Sequence, residues 1–221
     1  MISQDFLNRD KDLYKRLLDI CYDRQLHHLG SYFSALQIID VIYDEITRRK
    51  RKLDKDDIFI LSNGHAVVAL YAVLEKYYGL DAEELHDKYG DHPKRNELDK
   101  LHCSTGSLGM GITVAVGRAL ANPDRNVYCL LSDGECAEGS VWEALRFAYD
   151  YKVVNLRIYV NANGWSAYDK VDIIALSQRI RAFHPDVIFC NTTVEHFGLK
   201  GLDAHYTNFT EEQYKEPLAS L

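Results

Sequence analysis

The chain is expected to fold as an α/β protein, a parallel sheet covered by helices on both faces. Three features of its 221 residues point there. Short apolar runs alternate with segments of helical period, the pattern of strand–helix–strand units. The runs, "IFIL", "VYCLL", "RIYV" and "VIFC", are nearly all apolar, as strands buried on both faces are. Three of them break sharply into small polar turns, "LSNGH", "LSDGE" and "VNANG". In such sheets ligands gather at the carboxyl ends of the strands, so these turns should converge on one edge.

The elements follow in order. "FLNRDKDLYKRLLDICYDR" places Leu7, Leu13, Leu17, Leu18 and Cys21 at helical spacing. "SALQIIDVIYDEITRRK" reads as a second helix, with Ser34 as its cap and basic residues at its end. Ile58 to Leu61 is a short buried strand, followed by a largely buried helix, "AVVALYAVLEKYYG", closed by Gly79. Residues 81–89 form a short amphipathic helix, and a polar loop leads through "STGSLGMG" to the helix "ITVAVGRALA". Strand "NVYCLL", helix "AEGSVWEALRFAYDY" and strand "LRIYVN" come next, then helix "IIALSQRIRAF" and strand "DVIFCN". From about Thr192 no period is evident. With no internal repeat and no low-complexity linker, residues 1–221 are expected to be one domain.

Composition narrows the function. A net charge of −7 gives no general attraction to nucleic acid or to a lipid surface, so neither is expected as a partner. No apolar run reaches membrane-spanning length, and the charged start "MISQDFLNRDKDLYKR" does not read as a signal peptide. Five scattered cysteines without a CxxC pair argue against disulfides or a zinc site and for a cytoplasmic location; they read as small core residues. An anionic ligand would therefore be held locally, by backbone amides, histidines or a metal ion.

Two strand ends carry that chemistry. Asp133 follows a strand and precedes a helix, offering a hard oxygen suited to magnesium or calcium. Gly134 lets the backbone approach an oxyanion closely, and the next helix aims its free N–H groups at the same place. Asn163, thirty residues later at another strand end, adds an amide oxygen. Asp-Gly and Asn-Gly are also the commonest turn dipeptides, so the case rests on the pair and on its surroundings.

Those surroundings resemble the transketolase family. The blocks "HLGSYFSALQIIDVIYDE", "LSNGHAVVALYAVL", "STGSLGMGITVAVGRALA" and "SDGECAEGSVWEA…NANGW" come in family order and span most of residues 28–165. The resemblance implies the family's thiamine diphosphate-binding fold, with thiamine diphosphate and Mg2+ (or Ca2+) as cofactors. Asp133, Asn163 and the main-chain carbonyl of Trp165 would bind the metal. Gly134 and His65 would contact the diphosphate, and the backbone of Gly106 and Leu108 would meet the aminopyrimidine ring. His28, His65, His92 and His205 would line the substrate channel as catalytic groups, although an exposed loop histidine is the alternative reading for His92 and His205. Glu138 and Glu143 resemble carboxylates linking two active sites at a dimer axis, while Trp142 reads as packing. His102 has no clear counterpart; it is either substrate-facing or structural.

By the same resemblance, the activity is transfer of a two-carbon ketol unit from a ketose or ketose phosphate to an aldehyde or sugar acceptor. The family activates its cofactor with a glutamate from a second domain, and this sequence ends at Leu221, about where that domain would start. The expectation is an N-terminal subunit of a split transketolase, active only with a C-terminal subunit, in an assembly with two copies of each. Several positions depart from the pattern. Ser132 replaces a glycine, Leu29 a proline and Asp91 a glycine. The segment from about residue 166 is shortened, and "TTVEHFGLKG" replaces a lysine- and glycine-rich loop, which points to an unusual substrate. Two alternatives stand beside this reading: a thiamine diphosphate-dependent 2-oxo acid enzyme component, and a non-catalytic module retaining the fold.

Overall fold

The computed structural model describes residues 10–53 and 56–218. Helices α1 (Lys11–Asp23) and α2 (Leu29–Leu53) precede strand β1 (Ile58–Leu61), helices α3 (Val67–Tyr78), α4 (Ala82–Tyr89) and α5 (Met110–Ala121), and strand β2 (Val127–Ser132). Then follow α6 (Gly139–Asp150), β3 (Leu156–Ala162), α7 (Ile173–Phe183), β4 (Ile188–Asn191), α8 (Asp203–Tyr206) and α9 (Glu211–Leu218). The four strands form one sheet in the order β1-β2-β3-β4, every pair parallel.

The period of two along each strand sorts the side chains into two cores. Phe59, Leu61, Tyr128 and Leu130 pack against α1, α2, α3 and α4. Ile58, Ile60, Val127, Cys129, Leu131, Ile158 and Val160 pack against α5, α6 and α7. Helices thus cover both faces, which explains why the strands are nearly all apolar. Each fully buried aliphatic or aromatic side chain contributes about 1.5–3 kcal/mol, so this two-sided burial dominates the stability. All five cysteines are buried and unpaired, in keeping with a packing role.

Local chemistry sets the element ends. The side chain of Asp10 accepts from Leu13 N–H at 2.9 Å and starts α1. Asp81 accepts from both Glu83 and Glu84 N–H, and Asp172 accepts from Ala175 N–H, each satisfying donors that an open helix end leaves bare. Gly79, at φ +69°, ends α3 as a left-handed cap.

Three expectations need correction. Helix α2 begins at Leu29, five residues before Ser34, and Ser34 is no cap. It is buried inside the helix and bonds across to β3, as described below. The element after Asp133 is a 3-10 turn, Gly134–Ala137, with α6 starting only at Gly139. The stretch after Thr192 contains α8 and α9, short helices placed by tertiary contacts rather than by an apolar period. Leu7, assigned to the first helix from its spacing, lies outside the described residues. No described helix is long and apolar enough to cross a membrane.

Candidate active site

Because the sheet is parallel, every strand ends on the same edge, and the three polar turns meet there. A cleft of about 210 Å3 lies over them. His28, His65, His92 and His205 line it, together with Gly106 and Leu108 from the "TGSLG" turn. Gly134, Glu138, Asn163 and Trp165 complete the set of expected residues on its wall. Besides Asp133, which lies just behind the wall, two do not join them. Glu143 is exposed and lines a separate groove between α5 and α6. His102 is buried away from the cleft, paired through Nδ1 with Glu97 at 2.6 Å, which favours its structural reading. The indole N–H of Trp142 donates to Cys136 C=O and its ring meets Phe183 edge-on, so it packs as expected.

Asp133 sits just behind the wall, 1% exposed. Its two oxygens accept from Gly134 N–H at 2.9 Å and Gly164 N–H at 2.6 Å. Gly164 reaches it by adopting φ +86°, a left-handed conformation that favours glycine. Gly134 is needed for space instead: a Cβ there would lie 2.8 Å from Ser166 Cα. Burial pushes the Asp133 carboxyl up to about 7, and the backbone N–H bonds only partly oppose it. Asn163 Oδ1 accepts from Trp165 N–H at 3.0 Å, while its Nδ2 donates to Ser34 Oγ at 3.3 Å. A single carboxylate, an amide oxygen and a main-chain carbonyl, completed by ligand oxygens and water, is a donor set suited to magnesium. No group of three histidine, cysteine or acidic side chains able to hold a metal occurs among the described residues.

The histidines form a cluster. The rings of His28 and His65 are 5.6 Å apart, and those of His28 and His205 are 6.4 Å apart. Burial lowers all three; neighbouring histidines add to it at His65 and His205, while Asp91 partly opposes it at His28, and His65 falls to about 4. At neutral pH they are uncharged, with one ring nitrogen able to accept and the other to donate. His28 is held at φ +63°, unusual for a non-glycine residue, by a bond from its N–H to His205 C=O at 2.9 Å. His205 Nδ1 meets Ser31 Oγ at 3.3 Å. Short α8 therefore owes its place to the histidine cluster. His92 is exposed at the rim, against Gly106, whose φ of +144° and crowding leave no room for a Cβ: it would be 2.7 Å from His92 Cδ2.

Several residues with a role in the geometry are not marked by any motif. Ser34 Oγ accepts from Asn161 Nδ2 at 2.8 Å as well as from Asn163, tying α2 to β3. Asn161 is fully buried and accepts from Thr192 Oγ1 at 2.5 Å, joining β3 to the end of β4. Glu135 is fully buried; its Oε1 accepts from Ser62 Oγ at 2.6 Å and Gly109 N–H at 2.7 Å, and burial pushes its carboxyl up to about 7. The hydroxyl at the unusual Ser132 accepts from Glu135 N–H at 3.1 Å, which gives that serine a hydrogen-bonding place in the turn. Three buried polar atoms of cleft residues, Asn63 Oδ1, Glu135 Oε2 and His205 Nε2, have no protein partner.

Comparison with known proteins places this geometry. The family model "Transketolase, thiamine diphosphate binding domain" matches residues 14–195. One of the subunits of apulose-4-phosphate transketolase from Phocaeicola vulgatus is 33% identical over 195 residues, covering 80% of this chain and 69% of that protein. Human transketolase is 36% identical over 150 residues, covering 62% of this chain but only 24% of its own length. The chain therefore spans about a quarter of that full-length relative. Among solved structures, a transketolase variant from Pichia stipitis superposes with a TM-score of 0.67 at 20% identity, over 95% of this chain and 41% of that one. Campylobacter jejuni transketolase gives a TM-score of 0.61 over 96% of this chain and 43% of that one. The fold is thus shared with transketolases, and the sequence match shows that the chain belongs to the transketolase family, within its thiamine diphosphate-binding domain.

Proposed function

We propose that this chain is the N-terminal subunit of a two-chain transketolase-type enzyme. It would bind thiamine diphosphate with Mg2+ (or Ca2+) and transfer a two-carbon ketol unit between a ketose or ketose phosphate and an aldehyde acceptor. The observation that carries the reading is the edge itself. The Asn163–Trp165 turn and the histidine cluster line one cleft, Asp133 lies just behind its Gly134 wall, and that cleft holds three buried polar atoms without protein partners. Buried polar groups are almost always paired, so orphans concentrated in one cleft call for a polar ligand.

The residues fit the proposed groups. Asp133 is a buried carboxyl that meets two N–H donors and, among the described residues, no cationic side chain, the arrangement a divalent ion would neutralise. Asn163 Oδ1 and the Trp165 carbonyl would complete the protein's share of the ligands. Gly134 and His65 would meet the diphosphate, and the Gly106–Leu108 backbone the aminopyrimidine ring. Bound thiamine diphosphate supplies a nucleophilic carbon and an electron sink for the ketol unit. The histidines would move protons at the substrate's hydroxyl and carbonyl oxygens, work for which neutral imidazoles are suited. His205 Nε2 and the neighbouring His28 ring would face the substrate, and His92 would guard the rim.

A cleft of about 210 Å3 is small beside complete ligand sites of roughly 300–1,000 Å3, as one wall of a shared site would be. The relative from Phocaeicola vulgatus is itself one subunit of a transketolase, which supports a partner chain here. That partner would be a C-terminal transketolase subunit, contributing the pyrimidine-binding domain and its glutamate, with two copies of each chain in the assembly. A cytoplasmic location and the shortened segment after Trp165 belong to the same reading. The test is to mix the chain with its candidate C-terminal partner and offer ketose phosphates or 2-oxo acids as donors. Aldose release from a ketose phosphate, only in the mixture, is the expected result. Turnover of 2-oxo acids alone would transfer the chain to another thiamine-dependent class.

A further inference from the structure

Gly109 is gripped from both sides. Its N–H donates to Glu135 Oε1 at 2.7 Å, and its C=O accepts from Ser140 Oγ at 2.9 Å. The same Glu135 oxygen accepts from Ser62 Oγ at 2.6 Å, at the end of β1. Glu135 in turn lies two residues after Asp133, in the 3-10 turn whose first residue is Gly134. One fully buried carboxylate thus joins three structures: the end of β1, the Asp133 turn and the "TGSLG" turn at the start of α5.

Packing leaves this junction little slack. A Cβ on Gly109, which sits at φ +78°, would lie 2.4 Å from Ser140 Oγ and 2.7 Å from Glu138 Cβ. A Cβ on Gly111 would lie 2.5 Å from Ser62 Oγ, and one on Gly64 would lie 2.7 Å from the Thr105 backbone. Burying an acid is expensive, more so with Oε2 left unpaired, and an apolar residue would pack at lower cost. What Glu135 offers is one side-chain oxygen that accepts two bonds and so fixes two turns relative to each other.

We propose that Glu135, assisted by Ser140, is a positioning residue that locks the Leu108–Gly109 peptide to the Asp133 turn, so that the walls facing the two ends of the cofactor move as one unit. The inference rests on the thiamine diphosphate reading, because it assigns the two turns to the ring and to the metal–diphosphate end.

The test uses the complex of this chain with its C-terminal partner, in parent, Glu135→Ala, Glu135→Gln and Ser140→Ala forms. Two quantities are measured: amide exchange of the peptide containing Gly109, without cofactor, and the dissociation constant of thiamine diphosphate with magnesium. Loss of the two bonds to Oε1 should speed Gly109 exchange and weaken cofactor binding by about tenfold to a hundredfold in Glu135→Ala. Glutamine keeps one oxygen able to accept both bonds, so Glu135→Gln should stay within about threefold of the parent in both. Ser140→Ala should fall between, and it carries the test alone if Glu135→Ala does not fold. Unchanged Gly109 exchange in Glu135→Ala overturns the clamp. Faster exchange with unchanged cofactor affinity overturns its role in positioning, as does equal weakening by Ala and Gln. If the parent complex binds no thiamine diphosphate, the functional reading fails and this proposal with it; the exchange data then show separately whether the clamp exists.

Discussion

Asp133→Asn should stabilise the unliganded chain at alkaline pH and leave it no more stable in acid. Burial raises the carboxyl from 3.8 to about 7, and the group is 1% exposed, so solvent screening is negligible. As pH rises through this window the unfolded chain loses its proton first, and folded stability declines. At about 1.4 kcal/mol per pH unit, the loss sums to about 4 kcal/mol between pH 4 and pH 7. Asparagine cannot ionise and escapes that loss. It also replaces one acceptor oxygen by an NH2 group, so either Gly134 or Gly164 N–H loses its partner, at a pH-independent cost of about 1–3 kcal/mol. The net expectation is a gain of about 1–3 kcal/mol at pH 8 and none at pH 5. Urea unfolding of both proteins at the two pH values, with chelator present, measures it. Equal stability at both pH values, or a larger loss at pH 8 than at pH 5, would show that the N–H bonds alone satisfy Asp133. The argument that the site needs a cation would then collapse.

Gly134→Ala forces its new Cβ to within 2.8 Å of Ser166 Cα, so the two turns must part. A loss of about 1–3 kcal/mol in unfolding experiments is expected, with magnesium-dependent cofactor binding weakened at least tenfold. His65 carries the opposite pH sign to Asp133: its value is lowered to about 4, so its contribution is intact above 6.5 and is lost as pH falls towards 4. His65→Gln should therefore flatten the acid side of the stability profile by roughly 3 kcal/mol, while cutting turnover of the assembled enzyme about a hundredfold or more. Asn161→Ala takes one donor from Ser34 Oγ, leaves Thr192 Oγ1 without its acceptor and loosens the Ser34 hydroxyl that Asn163 shares. It should lower the urea midpoint, by about 2–4 kcal/mol in stability, and weaken magnesium-dependent binding without touching any proposed ligand.

Much of this architecture can be read along the chain because its signals are local. Apolar runs broken by glycine turns mark strand ends, and β1 and α7 fall where spacing places them. The parallel sheet then brings "LSNGH", "LSDGE" and "VNANG" to one edge with no further information. What stays hidden is long-range. Ser34 looks like a cap because capping residues are small and polar, but its hydroxyl serves Asn161 and Asn163, more than a hundred residues away. The true start of α2 is set by His28 in a left-handed conformation, a choice its local sequence does not announce. Glu135 is equally hidden, since an acid in the first turn after Asp133 is locally ordinary; its value lies in bonds to Ser62 and Gly109. A signal for Asn161 did exist, because it stands in β3 one strand period before Asn163, which follows the strand's end.

The most direct test is calorimetric titration of thiamine diphosphate, with and without magnesium, into this chain alone and mixed with its C-terminal partner. Asp133→Ala serves as the control. A shared thiamine diphosphate site predicts tight, magnesium-dependent binding in the mixture, little binding to the chain alone, and none to the Asp133→Ala mixture. Absence of binding in the parent mixture, or binding that Asp133→Ala leaves intact, would contradict it.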